Sequence, residues 1–481
     1  MIKVLMVASE AAPFAKSGGL ADVVGSLPAA LRAFDCEVAV LIPRYSRIEL
    51  TSARRVYDSL PVWLGPSMYD TSIYQAEAET PFYFLEAPVL YDRDGLYGDS
   101  KGDYPDNARR FAVLSRAALS VARRIFRPQI LHCHDWESAL APVYLRTAFR
   151  YDPTFLGIKT LFTIHNLGYQ GLFAPSVLPQ IGFDRQIFTV DGLEFYGKVN
   201  LLKGGLLFSD ALSTVSQGYA AEIQTEEYGF GLDGVLRARS ADLYGILNGV
   251  DYRDWNPATD AHLTAHYSAQ DLSGKPLCKK ELIRGFGLPE KAADRLLLGT
   301  VSRLASQKGT DLILEIAPQL AEQDLYLVAL GAGDAPYEAK LRAVAAAHPD
   351  HIRVEIGYDD ALAHKIEAGA DIFLMPSRYE PSGLNQMYSL RYGTVPVVRA
   401  TGGLDDTIDG GTGFKFREYS APALMAAIRE ASAAFENRPE WEGMMRRGMQ
   451  KDFSWRASAA EYAALYRKLL DGGGNTLHPL A

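Results

Sequence analysis

The residues between Asp371 and Gly403, DIFLMPSRYEPSGLNQMYSLRYGTVPVVRATGG, hold the densest set of chemically active groups in the chain. Arg378, Glu380, Pro381, Ser382 and Gly383 follow closely on the apolar run Ile372 to Met375. Such a run reads as a strand buried on both faces. Pro376 ends it, and Leu384, Met387, Tyr388 and Leu390 at helical spacing predict a helix beginning near Gly383. Val395 to Val398 predicts a second strand, ending in Thr401-Gly402-Gly403. A βαβ unit of this kind puts its polar residues where parallel strands end, the ligand edge of an open α/β sheet. The helix start adds free N–H groups and the positive end of a dipole, which suits an anion. Small residues also serve ordinary tight connections, but folding alone gives no reason for Arg, Glu and Ser in one loop.

Other strand ends carry similar groups. Leu296 to Val301 delivers Ser302-Arg303-Leu304-Ala305-Ser306-Gln307-Lys308-Gly309. Two cations so spaced, one past a strand and one before a helix, can clamp both phosphates of a nucleoside diphosphate. In isolation a solvated basic turn fits equally well. The N-terminal strand, Ile2 to Ser9, delivers Glu10 and a loop from Pro13 to Asp22, and a helix is predicted from about Ala21 to Phe34. Gly18 and Gly19 let backbone approach a ligand closely, and Lys16 beside them can neutralise a phosphate. The spacing is not that of a Walker A loop, because the Lys precedes the glycines. Gly331-Ala332-Gly333-Asp334 lacks the third glycine of a dinucleotide fingerprint. Ile352 to Ile356 delivers Gly357-Tyr358, whose ring could stack on a base.

His132-Cys133-His134 closes a short strand from Gln129, and two His so placed can ligate zinc or iron. A metal-dependent hydrolase using His132 and His134 is therefore an alternative reading. It needs further ligands from later strand ends, where His165 is the candidate. Asp92-Arg93-Asp94 forms a DxD in a polar loop and is read as coincidental.

Length and composition bound the rest. A chain of 481 residues exceeds one ordinary core. A net charge of −9 argues against nucleic acid as a partner. Three cysteines without a CxxC argue against a disulfide framework and for a reducing cytoplasm. No apolar run reaches the roughly 20 residues of a membrane span, and the N-terminus reads as a first strand rather than a signal peptide. Strands at Val38 to Ile42, Phe82 to Leu85, Leu161 to Ile164, Ala211 to Val215 and Leu325 to Leu330, with helices between, predict two doubly wound α/β domains facing across a cleft. The expected division is 1–250, 251–453 and a helix within 454–481, with 472–481 expected to be disordered.

Several of these motifs resemble the bacterial glycogen synthase and plant starch synthase family, in order along nearly the whole chain. They are K-x-G-G-L at Lys16, H-x-H-D-W at His132, I-H-N-x-x-Y-Q-G at Ile164, N-G-V-D at Asn248, R-L-x-x-Q-K-G at Arg303, and E-P-x-G-L-N-Q with T-G-G from Glu380. The resemblance implies a retaining glycosyltransferase of the GT-B fold. Its reaction would move glucose from ADP-glucose to the non-reducing end of glycogen or another α-1,4-glucan, with no cofactor and no metal. UDP-glucose stays open as donor. Carried over, Lys16, Gly18, Gly19 and Asp22 meet the diphosphate or sugar, and Arg303 and Lys308 stabilise the departing phosphate. Glu380 holds glucose hydroxyls, with Ser382, Gly383, Leu384, Asn385, Thr401, Gly402 and Gly403 around it. Asp135, His165 and Asn166 line the sugar pocket. Tyr97, Asp103 and Tyr104 contact the glucan, Asn248 belongs to the interdomain crossover, and Tyr358 stacks on adenine. The resemblance also implies that a closing cleft, hinged near Val250 to Asp254 and Phe453, would bring Lys16 to the same diphosphate as Arg303. Two departures stand out. Ser382 replaces the family's usual Cys, and Tyr388 occupies a position that is often a second Glu in the wider class.

Overall fold

In the computed structural model, residues 1–49, 53–76 and 79–472 are described. The tail expected to be disordered falls, from 473 onward, outside them. The chain divides into two compact units, one of Met1–Val215, Ala220–Gly249 and the residues from Trp455, the other of Ser216–Tyr219 and Val250–Ser454.

The main sheet of the first unit has, among the described residues, nine strands: β1 (Ile2–Val7), β2 (Cys36–Pro43), β3 (Arg54–Leu64), β4 (Ser67–Ala76), β5 (Phe82–Glu86), β6 (Ile130–His134), β7 (Lys159–Ile164), β8 (Ala211–Thr214) and β9 (Leu243–Gly245). They lie in the order β9-β8-β7-β6-β1-β2-β5-β4-β3. All neighbours pair in parallel except at β4, which runs antiparallel to β3 and β5. Val4 to Val7 and Val38 to Ile42 are buried on both faces, which explains why those strands read as continuous apolar runs. The β3–β4 hairpin has no counterpart among the strands expected from sequence. Its register shifts between Arg55 and Leu60, and Pro61 sits in the edge strand, where a missing donor is tolerated. Both features blur a two-residue alternation.

From β1 the chain winds to β2 on one side and later returns to β6 on the other, so the order reverses between β1 and β6. Loops leaving the carboxyl ends of strands at such a reversal are where open α/β sheets hold ligands. Helix α1 (Gly19–Leu31) follows β1 and starts two residues before the expected Ala21; its last expected turn, Arg32–Phe34, is a 3-10 turn. Helix α2 (Asn107–Val121) covers the sheet, and the C-terminal helix Trp455–Leu470 packs on α1. Tyr462 and Tyr466 of that last helix lie 5.6 and 5.8 Å from the His132 ring.

The second unit holds β10 (Leu297–Val301), β11 (Tyr326–Gly331), β12 (Ile352–Ile356), β13 (Ile372–Met375), β14 (Val395–Arg399) and β15 (Phe414–Phe416). All pair in parallel, in the order β12-β11-β10-β13-β14-β15. This is the Rossmann order, with its reversal between β10 and β13. Adjacent residues feed two separate cores: Leu298, Leu327, Leu374 and Val397 one, Leu297, Val328, Phe373 and Val398 the other. That split follows from the two-residue period of a strand. Helices α3 (Thr310–Glu322), α4 (Asp360–Gly369) and α5 (Asn385–Arg391) follow β10, β12 and β13. Helix α5 begins at Asn385 rather than at Gly383, because Gly383 adopts φ +69°, which no helical residue does. The chain enters this unit at Val250, whose N–H donates to the Phe453 carbonyl (2.7 Å). Among the described residues no helix is long and apolar enough to cross a membrane.

Candidate active site

At the first unit's reversal, the loop after β1 is folded around Glu10. Ser17 donates to it twice, from its N–H and from its Oγ (2.6 Å), and the Tyr97 hydroxyl donates as well. Tyr97 thus turns its hydroxyl inward, to Glu10 and to Ser9 (2.8 Å). Lys16 is half exposed and pairs with Asp22 at 2.7 Å. Gly18 and Gly19 have no positive φ, and a Cβ at either would meet nothing within 4 Å. Protein packing therefore does not require glycine there. The space beside this backbone suits a ligand.

After β6 comes Asp135, with φ +54°, a conformation non-glycine residues rarely hold without compensation. Its compensation is local: Oδ1 accepts the His165 N–H (2.7 Å). Burial pushes the Asp135 carboxyl up to about 7, against the pull of the His165 and Asn166 N–H groups and with help from the Glu10 charge. Glu137, two residues on, is also raised well above its ordinary value, by burial and by the Asp135 charge, and its Oε2 has no partner among the described residues. Three carboxyl groups thus influence one another here, and sequence reasoning singled out only one for a role. The signal for Glu137 was its place two residues after Asp135, in the same strand-end segment.

The histidines sort themselves. His132 is wholly buried with both ring nitrogens engaged, Nδ1 with the Tyr466 hydroxyl (2.8 Å) and Nε2 with Thr163 Oγ1 (2.6 Å). A ring with neither nitrogen to offer cannot ligate a metal, which removes the hydrolase alternative. The His134 ring lies tilted against that of His132, centroids 4.1 Å apart, and bonds the half-buried His165, Nδ1 to Nε2 at 3.0 Å. Its own Nε2 is buried without a partner among the described residues. Burial holds all three rings below the usual imidazole range, so they are neutral near pH 7. Asn166 turns its amide oxygen to the Gly168 N–H (3.0 Å).

The polar loop before α2 is less open than expected. The Tyr104 ring lies under two guanidinium groups, Arg93 at 4.8 Å and Arg110 at 5.1 Å, and its hydroxyl accepts the Gly95 N–H (3.2 Å). Asp103 is exposed in the two-residue strand Gly102–Asp103. Within the DxD, Arg93 forks onto Asp106, both contacts at 2.7 Å, which gives the motif a structural use. Asn248 is buried, and its Oδ1 also lacks a partner among the described residues.

At the second unit's reversal, the loops after β10 and β13 are joined by an ion pair. Lys308 Nζ lies 2.8 and 2.7 Å from the two oxygens of Glu380, and the Ser377 hydroxyl donates to Glu380 at 2.9 Å. Glu380 is 6% exposed and Lys308 23%, so Lys308 is not the free surface cation expected from its turn. Arg303 is exposed and reaches Gln307 Oε1 at 3.1 Å. Backbone packs closely here: the Gly403 N–H donates to the Glu380 carbonyl (3.1 Å), and a Cβ at Gly403 would overlap the Ser382 carbonyl at 2.1 Å. Gly403 is thus glycine for packing. Ser382 is buried with its Oγ on the Gly383 carbonyl (3.3 Å), and Asn385 bonds the Val301 carbonyl (2.8 Å). Leu384 precedes α5, and Thr401 and Gly402 open the next helical turn. Tyr358 is 86% exposed beyond β12. Tyr388, at the position of the wider class's second Glu, stacks flat on Trp255 at 3.8 Å.

Residues 3–238 match the starch synthase catalytic domain family, and residues 288–442 the glycosyl transferases group 1 family. A glycogen synthase of Koribacter versatilis is 50% identical over 97% of this chain and 98% of its own. A glycogen synthase 2 of Geobacter sulfurreducens is 47% identical over 98% and 99%. The chain belongs to the glycogen and starch synthase family. The solved catalytic domain of starch synthase IV from Arabidopsis thaliana, bound to ADP and acarbose, aligns with a TM-score of 0.89 and 34% identity over 98% of this chain and 99% of that one. A sucrose-phosphate synthase from Thermosynechococcus elongatus, 17% identical with a TM-score of 0.61, shares the fold. The protein is a glycosyltransferase with the GT-B fold, as its motifs imply.

Proposed function

We propose that the protein transfers glucose from ADP-glucose to the non-reducing end of an α-1,4-glucan with retention of configuration, in the cytoplasm. The observation that carries this reading is the Lys308–Glu380 pair, with Arg303 beside it, at the reversal of a Rossmann-ordered sheet. Breaking a glycosyl phosphate develops positive charge on the sugar and negative charge on the leaving phosphate. Fixed cations aimed at that phosphate lower the barrier most. An ammonium has three N–H groups, and two contacts to Glu380 leave one for a phosphate oxygen. Glu380 in turn can accept from sugar hydroxyls while holding Lys308 in place.

The second unit is the donor side in this reading, with Tyr358 offered to the base and the Ser382–Asn385 and Thr401–Gly403 segments around the glucose. The first unit is the acceptor side, so residues 1–250 and 251–453 divide the labour, and 454–481 belongs with the first. Asp135, only partly ionised near neutrality, and neutral His165 and His134 can exchange hydrogen bonds with sugar hydroxyls. Lys16, Gly18, Gly19 and Asp22 meet the diphosphate or sugar. Support comes also from the relatives' names and from the ADP and acarbose held by the Arabidopsis structure. The free, buried state of Cys36, Cys133 and Cys278 agrees with a reducing compartment.

The deciding assay is glucose incorporation into glycogen from ADP-glucose and from UDP-glucose, with the new linkage read by NMR. ADP-glucose is expected to be the better donor and the linkage α-1,4. Faster transfer from UDP-glucose would overturn the donor assignment, and a β-linkage would overturn retention.

A further inference from the structure

Away from the candidate site, the second unit holds a group of side chains that its transfer chemistry does not use. His364 lies on α4, one helical turn after Asp360, so the two share a face. His364 is 4% exposed, and its orientation is over-determined. Asp260 Oδ2 accepts from its Nδ1 at 2.7 Å and from the Tyr392 hydroxyl at 2.5 Å. The Trp255 indole stacks on the imidazole at 3.8 Å and 12°. Two residues on from Asp260, exposed His262 has its backbone N–H tied to Asp260 Oδ1 (2.8 Å), and its ring centroid is 4.9 Å from that of His364. The ligand-capable atoms of His262, Asp360 and His364 all lie within 4.8 Å of one another.

We propose that His262, Asp360 and His364 form a binding site for a divalent transition-metal ion, with Zn2+ the best match. A buried carboxylate on one imidazole nitrogen fixes the tautomer that leaves the other nitrogen's lone pair to a metal, the arrangement that orients histidine ligands in zinc sites. Two imidazoles and one carboxylate suit a borderline ion, and three protein ligands leave a fourth position for water. Ligand atoms around one zinc ion stand about 3.3 Å apart, given bonds of roughly 2.0–2.1 Å. Small rotamer changes of exposed His262 and Asp360 close the remaining gap without moving the buried ring. The positive end of α4 opposes a cation here, and Asp359, Asp360 and Asp260 offset it. The ion's effect is mechanical, since it would clip the segment just after the Val250 entry point to helix α4.

The test uses the full-length chain stripped with EDTA. Titration with Zn2+ is expected to show one tight site and to raise the melting temperature by about a few degrees, since a ligand that binds the folded state stabilises it by mass action. Co2+ in place of Zn2+ is expected to give the visible absorption of a four-coordinate ion. His262→Ala and Asp360→Asn, both at exposed positions, are each expected to weaken binding by about tenfold or more and to abolish the cobalt spectrum, with the melting temperature of the stripped protein unchanged in His262→Ala and lowered only slightly in Asp360→Asn, which removes a charge from the start of α4. Absence of binding below about 100 µM Zn2+, or variants that bind as tightly as the parent, would overturn the proposal. Glucosyl transfer by the stripped protein is expected to be unaffected, so this result and the proposed reaction fail separately.

Discussion

In the first unit, the groups beyond β6 and β7 are buried, and burial sets their charge: Asp135 is pushed up to about 7, and His132, His134 and His165 are held neutral. In the second unit, the groups beyond β10 and β13 keep opposite charges and hold one another, as Lys308 does Glu380. Both clusters sit at the reversal of a parallel sheet, so topology alone does not distinguish them. Desolvation does. A weakly charged, hydrogen-bonding surface suits neutral sugar hydroxyls, whereas fixed ions suit a diphosphate. In the proposed reaction, the same fold position would thus serve two ligand chemistries according to the partners each loop supplies.

The comparison breaks most visibly at the cations. Arg303→Ala is expected to lower kcat by about 10²-fold or more, with the melting temperature unchanged, because its side chain is exposed. Normal turnover in that variant would reduce the loop to a surface turn. Lys308→Ala is expected to lose as much activity and also roughly 2 kcal/mol of stability, since it leaves the nearly buried Glu380 carboxylate without its partner. Denaturant unfolding checks this. A Lys308→Ala protein as stable as the parent would show that Glu380 is solvated rather than held.

Asp135 sharpens the first unit's side of the contrast. Its folded pKa of about 7 lies above the ordinary carboxyl value near 3.9, so the folded state binds the proton more tightly. That contribution erodes stability as pH rises from about 4 to about 7. His132, held at about 3, acts in the opposite sense, losing stability as pH falls below about 6.5. Asp135→Asn is therefore expected to make unfolding free energy climb more steeply with pH between 4 and 7, by about one proton's worth of slope. A slope identical to the parent's would refute the buried, protonated carboxyl.

Gly18→Ala tests whether space reserved in the first unit belongs to a ligand. With nothing within 4 Å of the added methyl, stability is expected to be unchanged while kcat/KM for the nucleotide-sugar falls about tenfold. Unchanged kinetics would mean that the glycine is incidental. The smallest expected effect is that of exhaustive EDTA dialysis on transfer. Since His132 offers no nitrogen to a metal, the rate is expected to survive. Loss of activity restored by one metal would undo that assignment.

Strand ends that carry polar groups were legible in the chain alone. Buried parallel strands are written as unbroken apolar runs, and the polar residues that follow them, Glu10, Asp135, His165, Arg303 and Glu380, are then easy to see. The chain alone also showed the family, because motifs such as K-x-G-G-L and R-L-x-x-Q-K-G are local. It did not display the β3–β4 hairpin, whose alternation is broken by bulges and a proline at an edge. Long-range packing set what each polar group contacts. Tyr97 turns to Glu10, and the Tyr104 ring is held by two guanidinium groups. Lys308 spends its charge on Glu380, 72 residues away in sequence. His132 gives both nitrogens to Tyr466 and Thr163, which removes the metal reading that its H-x-H spacing had invited. Hydrogen-bond partners, burial and the charge states they impose are properties of long-range contacts. No local pattern encodes them, which is why residue types were legible in the chain and their roles were not.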